Sequence, residues 1–333
     1  MTRSSLAMPP RTHTDEGELR RLGVELELTG LPLDELAALV AREVGGPVKE
    51  VGRYEFSIEG DAAGPWLVEL DWDWLKRKGR EPRRPDGLLD NLDEMGEGIL
   101  RAGAERLVPM EVVSPPLPLD RLDEMEQLIA RLREAGAQGT TEGLVNAFGM
   151  QLNPEVPATD AATLTGFLKA FLCLYDWLKL RAEVDLARRL TAYVDPFPPD
   201  YVDKVVNVDY APDVDTLMDD YLFANPTRNR ALDLLPLFAH LDERRVQRVV
   251  GDARVKPRPA FHYRLPNCEV DRPGWGIHAA WNDWLEVERL AHDKPRLEEV
   301  CRHYLAFRER PMSGLLEDWA RQVEEWLPGI PAP

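Results

Sequence analysis

The chain has 333 residues, with 59 acidic against 41 basic side chains and a formal charge of −18. A composition of 44% hydrophobic and 30% charged residues is globular, and the length suits one large domain or two ordinary ones. The acidic balance argues against a nucleic acid as the main partner, because phosphate backbones need a basic footprint. It leaves room for a nucleotide in a local cationic pocket, and for hard divalent cations, which use carboxylate oxygens.

Residues 1–18 (MTRSSLAMPPRTHTDEGE) lack an apolar core suited to a signal peptide, and no stretch approaches the apolar length that crosses a bilayer. The expectation is a cytoplasmic protein, without a membrane partner, that starts with a short flexible tail over 1–18. From Leu22, apolar residues alternate with Gly23, Glu25 and Glu27, which predicts a strand with one apolar face. LDELAALVAREV then has helical spacing and stops at Gly45-Gly46. Strand-like runs follow at Val51–Ile58 and Trp66–Trp72, parted by the turn formers Gly60, Asp61 and Gly64. The basic, Pro- and Gly-rich stretch 76–87 reads as a surface loop.

Residues 88–105 have a helical composition, and Arg106–Val113 reads as a strand stopped by Pro115 and Pro116. Leu119–Ala135 is amphipathic and helical, Phe148–Asn153 a short strand, and Thr163–Leu180 and Val184–Ala192 two further helices. More helices are predicted from near Asp213 and after Thr227. A late strand follows in PAFHYRLPN (259–267), then a Trp-rich helix over Ile277–Ala291 and two terminal helices, one within 313–327. Strands parted by unequal helical insertions predict an α+β fold rather than regular βαβ winding. One domain over 19–333, helical in its C-terminal part, is the expected organisation.

Five groups of residues carry candidate chemistry. Glu25 and Glu27 share a strand face roughly 6.5 Å apart, a placement that suits magnesium with its oxygen ligands at about 2.1 Å. The same spacing also describes the solvated face of an edge strand. Glu111, opening MEVVSPPL, can add a third carboxylate to one concave sheet. Glu69, Asp71 and Asp73 alternate on another strand, either solvated or orienting a substrate amine or water. Arg264, in the apolar run HYRLPN, is costly to bury without an anion. Its planar fork suits a phosphate or carboxylate, and an internal ion pair satisfies it equally well. Arg228 and Arg230, read as opening a helix, offer either a cationic patch or a charged terminus.

The three cysteines, Cys173, Cys268 and Cys301, are far apart and outside any CxxC arrangement, against a disulfide framework or a thiolate zinc site. The six histidines show no metal-ligand pairing, and no GxGxxG, GxxxxGK, GxSxG or HExxH motif occurs. The tryptophans around Trp275, Trp281 and Trp284 suit a core or an interface between copies in a homo-oligomer.

The order GVELEL (23–28), WLVELDWDW, EVVSPPL (111–117) and YRLPN resembles the amidoligases. These belong to the glutamine synthetase and glutamate–cysteine ligase superfamily of carboxylate–amine ligases, in which the first strand reads close to GVEIE and a later one close to EIVSPPL. The resemblance runs from Arg20 to about Ala291. It implies a curved, mainly antiparallel sheet forming a half-barrel active site covered by helices, as in the glutamine synthetase catalytic domain. It further implies an ATP- and Mg-dependent enzyme that joins a small-molecule or peptide carboxylate to an amine through an acyl phosphate.

By that resemblance Glu25, Glu27 and Glu111 ligate magnesium, and Asp71 helps bind the amine or metal. Arg264 meets phosphate or the acyl phosphate, with Arg228 and Arg230 adding positive charge. Two departures concern the nucleotide contacts. Gln151 and Asn153 stand where the family often has an HVH-like strand, and His262 replaces the glutamate of an EFR-like strand. They imply altered contacts, a different substrate, or a catalytically reduced member that binds a peptide or partner.

Overall fold

The computed structural model describes residues 6–70, 109–140, 149–182, 195–310 and 316–327. Among these, nine strands pair antiparallel throughout: β1 (Arg21–Leu28), β2 (Val48–Gly52), β3 (Glu55–Ile58), β4 (Trp66–Leu70), β5 (Met110–Val113), β6 (Leu117–Pro118), β7 (Met150–Pro154), β8 (Leu232–Asp233) and β9 (His262–Tyr263). They form one open sheet in the order β2-β3-β4-β5-β1-β7-β9-β8, with β6 beside the start of β1. The α+β class and the antiparallel sheet are thus as expected.

Leu22, Val24, Leu26 and Leu28 of β1 are fully buried and meet Val112, Met110, Leu152 and Met150 of the adjoining strands in the core. The period-two alternation commits this face to the core and turns the intervening Gly23, Glu25 and Glu27 to the other. Nine helices lie among the described residues: α1 (Leu33–Val44), α2 (Asp123–Glu134), α3 (Ala161–Arg181), α4 (Pro199–Val206), α5 (Val214–Ala224), α6 (Leu235–Val250), α7 (His278–His292), α8 (Lys294–Arg308) and α9 (Leu316–Trp326).

The helix α1 ends at Gly45, whose φ of 80° is the left-handed C-cap that glycine adopts without Cβ strain. The 21-residue α3 is apolar around most of its circumference, as a helix packed on several sides must be. Phe171 of α3 meets Tyr263 edge-on at 6.0 Å, and the Cys173 carbonyl accepts from Trp319 Nε1 of α9 at 2.8 Å. No helix among the described residues is long and apolar enough to cross a membrane.

Several elements differ from their sequence reading. Val51–Ile58 is not one strand: the chain turns at Arg53-Tyr54, so β2 and β3 form a hairpin with a register shift between Glu50 and Gly52. Folding back pairs backbone groups that a lone edge segment leaves to solvent. Leu119–Ala135 starts as a 3₁₀ turn at Leu119–Arg121 before α2. The helix expected after Thr227 starts only at Leu235, where Pro236 fits the first turn, so Arg228 and Arg230 precede β8 instead of opening a helix. The late strand is confined to His262–Tyr263, bounded by Pro259 and Pro266.

Residues 6–18 of the expected tail are docked. Trp281 Nε1 donates to the Ala7 carbonyl at 2.8 Å, and Arg20 Nη1 to the Arg11 carbonyl at 2.7 Å. Trp281 and Trp284 are fully buried, the core alternative for the Trp-rich helix. The loop 76–87, the expected helices 88–105 and 184–192, and Asp71 and Asp73 lie outside the described residues.

Candidate active site

The face of the sheet opposite the core carries charge. Register aligns Glu55, Glu69, Glu111 and Glu27 in one cross-strand row over β3, β4, β5 and β1. Glu25, two residues along β1, pairs with Val113 on one side and Gln151 on the other. Directly paired residues of an antiparallel sheet share a face. The three glutamates singled out in the sequence therefore lie on one face of two adjacent central strands.

Backbone and amide donors hold two of them. Glu27, only 7% exposed, accepts from the Gly149 N–H at 2.7 Å and from Gln151 Nε2 at 3.1 Å. Glu25 accepts from Asn153 Nδ2 at 2.9 Å, with Arg258 Nη2 3.7 Å away. Gly23 pairs with Asn153, and a Cβ there would stand 3.3 Å from Asn153 Cβ; glycine gives the amide its room.

Across β7 the sign of the charge reverses. Asn153 Oδ1 lies 2.7 Å from His262 Nδ1 and accepts from Arg258 Nη2 at 2.8 Å. With Asn153 Nδ2 donating to Glu25, Oδ1 is an acceptor, and this 2.7 Å contact assigns the proton to His262 Nδ1 and the lone pair to Nε2, with Arg258 Nη2 3.1 Å from the same Nδ1. Burial, then the positive charge of Arg258, Arg264 and Arg228, holds the His262 pKa well below its usual value, and the ring is neutral. Arg264 Nη1 donates to the Arg228 carbonyl, tying these two basic residues together.

Opposite His262 in register is Asp233, 1% exposed. Its Oδ1 accepts from the Leu235 N–H at 2.8 Å, while Oδ2 accepts no hydrogen bond among the described residues. Burial pushes its pKa up to about 6, against the opposing pull of that hydrogen bond and of Arg264, Arg228 and Arg258.

The fold thus gathers Glu25, Glu27, Glu111, Gln151, Asn153, His262 and Arg264, with Arg228 bonded to Arg264. It places Arg230 elsewhere. That side chain donates to Asn225 Oδ1 at 2.8 Å and to the Pro196 carbonyl, and lies over the Phe197 ring. Two residues of the site escaped the sequence reading. Arg258 sits four positions before His262, one residue ahead of the run read as a strand. Asp233 is an acid inside the apolar run ALDLLPLF, and an acid so placed is the available signal.

Among the described residues no group of three or more His, Cys, Asp or Glu side chains is placed to hold a metal ion by itself. A cavity of about 140 Å³, lined by Met150, Tyr263, Arg181, Trp275 and Asp283 among others, includes none of the three glutamates.

The family model described as "Putative amidoligase enzyme" matches residues 18–286. No curated protein matches the chain. The matched span takes in all nine strands and the whole charged face. The chain belongs to this amidoligase family.

Proposed function

We propose that the protein is an ATP- and Mg-dependent carboxylate–amine ligase, forming an amide or isopeptide bond through an acyl phosphate of its carboxylate substrate. The observation that carries this reading is the division of one sheet face into a carboxylate half on β1 and β5 and an arginine half beyond β7. Bringing a carboxylate against a triphosphate sets two anions side by side. That is unfavourable unless fixed cations meet them. The likeness to the glutamine synthetase superfamily, with its half-barrel site, belongs to the same proposal.

The donor set suits magnesium: glutamate oxygens only, with no thiolate or imidazole among the three. Magnesium commonly takes one or two carboxylates and fills its shell with water and phosphate oxygens, so a site without three preassembled protein ligands fits a metal that arrives with nucleotide. Glu25, Glu27 and Glu111 would hold it, and bound there it would neutralise phosphate charge.

The chain's own residues do the rest. Gly149, Gln151 and Asn153 orient the glutamates through donated hydrogen bonds. Arg264 and Arg258 present guanidinium groups to phosphate or carboxylate oxygens, and Arg228 adds charge beside Arg264. His262 Nε2 offers an acceptor, not a second cation, at the edge of that group. Asp71, the residue after β4, would take the proton of the attacking amine.

Calorimetric titration with Mg-ATP, alongside ATP-dependent phosphate release over a panel of amino acids, peptides and polyamines, tests the reading. Wild type binds, EDTA abolishes binding, and Glu25→Ala and Glu111→Ala each remove binding and turnover with an unchanged circular dichroism spectrum. Full binding in both variants refutes the metal assignment. Absence of binding at millimolar nucleotide points instead to the catalytically reduced member that binds a peptide or partner.

A further inference from the structure

Cys173 and Cys301 are 128 residues apart in sequence, yet their Sγ atoms lie 3.7 Å apart. Cys173 sits in the middle of α3 and Cys301 in α8, and their side chains meet where the two helices pack in the core. We propose that this pair is a redox-active dithiol, oxidised by peroxide to a disulfide that staples α3 to α8.

Three observations support it. A disulfide needs its sulfurs about 2.05 Å apart; from 3.7 Å, side-chain motion shared between two residues closes the gap. Lys169 lies one turn before Cys173 on α3, itself mostly buried, and donates to the Asn207 carbonyl at 2.9 Å. Its positive charge sits inside the helical layer. The two thiols also share one environment: either sulfur can donate in the contact, both are buried, at 0% and 1% exposure, and the Lys169 charge acts on each. Oxidation therefore waits on local opening of the α3–α8 contact, and the thiol that ionises first attacks. Cys268, buried with its pKa pushed up, stands outside the pair.

The chemistry balances with peroxide as the oxidant. The thiolate sulfur of one cysteine of the pair attacks one peroxide oxygen, the O–O bond breaks, and the departing hydroxide leaves as water with a proton, giving a sulfenic acid. The sulfur of the other cysteine then attacks the sulfenic sulfur, the S–O bond breaks, and the second hydroxide leaves as water with the remaining thiol proton. Two thiols lose two electrons and one peroxide becomes two waters.

The test uses the full chain, held with hydrogen peroxide under native conditions and then unfolded in excess N-ethylmaleimide. Reduced protein takes three labels, one for each cysteine in the sequence. The oxidised protein is expected to lose 2 Da and take one label. Proteolytic mapping should recover a Cys173–Cys301 linked peptide with the label on Cys268. Its melting temperature should rise by several degrees, since a cross-link across so long a loop restricts the unfolded chain. Cys268→Ser should form the same link, and Cys173→Ser and Cys301→Ser should each form none and take no more than a sulfenic acid, trapped by dimedone, on the remaining member of the pair. Three labels after oxidation, a link through Cys268, or an over-oxidised member of the pair without a link each overturn the proposal. None of these readouts depends on ligase activity.

Discussion

Glu27 on β1 stands directly across from Glu111 on β5, so two carboxylates occupy one cross-strand position on the polar face of the sheet. Like charges in that relationship are unfavourable unless a cation joins them. Mg-ATP is therefore expected to raise the melting temperature of the wild-type protein by a few degrees. A ligand at a hundred times its Kd contributes about 2.7 kcal/mol. In the Glu27→Gln, Glu111→Gln double variant the same addition should leave the melting curve where it was. A shift as large as in wild type would show that the nucleotide sits elsewhere.

Asn153 bonds in three directions, donating to Glu25 and accepting from His262 and Arg258. Asn153→Leu leaves the buried His262 Nδ1–H and the Glu25 carboxylate without that partner. A buried group left unsatisfied costs about 1–3 kcal/mol. A loss of roughly 2 kcal/mol in denaturant unfolding is expected, whereas Asn153→Gln, which keeps both amide functions, should lose less. Equal losses in the two variants would show that side-chain volume, not hydrogen bonding, sets the cost.

Asp233 predicts a pH dependence. Its pKa rises from an ordinary value of 3.8 to about 6 in the folded protein because it is buried. The folded state therefore holds this proton more tightly than the unfolded state does. The stabilisation is complete below about pH 4 and is lost as pH rises through 6, amounting to about 3 kcal/mol by linkage. Asp233→Asn removes this component. Between pH 4 and pH 7 the stability of wild type should fall relative to the variant in chemical unfolding. Parallel curves over that range would refute it.

Arg20 and Glu288 form two hydrogen bonds of 2.7 Å, at 1% and 2% exposure. Removing one partner of such a pair strands a buried charge and costs about 3–5 kcal/mol. Arg20→Ala should lose that much stability and also release residues 6–18 to limited proteolysis, because Arg20 carries the Arg11 contact. The double change Arg20→Met, Glu288→Leu should recover part of the stability, less what the buried Trp284 Nε1–H loses with its Glu288 acceptor, but not the protection. A protected N-terminal segment in Arg20→Ala would assign the docking to the remaining bonds, Trp281 Nε1 to the Ala7 carbonyl and the Asp15 N–H to the Pro157 carbonyl among them.

The alternation around Glu25 and Glu27, the proline stop after Glu111, and the glycine end of α1 are written in local sequence, since strand and helix periods repeat within a few residues. They established the α+β class, the polar face of β1 and the family. Local pattern could not say which distant residues meet. Arg228 and Arg230 are two positions apart, yet one lies bonded to Arg264 while the other is spent on Asn225, the Pro196 carbonyl and Phe197. Arg258 and Asp233 join the site, and Cys173 meets Cys301, only because β7, β9 and β8 pair in register and α8 packs on α3. Register and helix packing follow from burying the apolar faces of segments far apart in the chain, and that is a property of the whole fold.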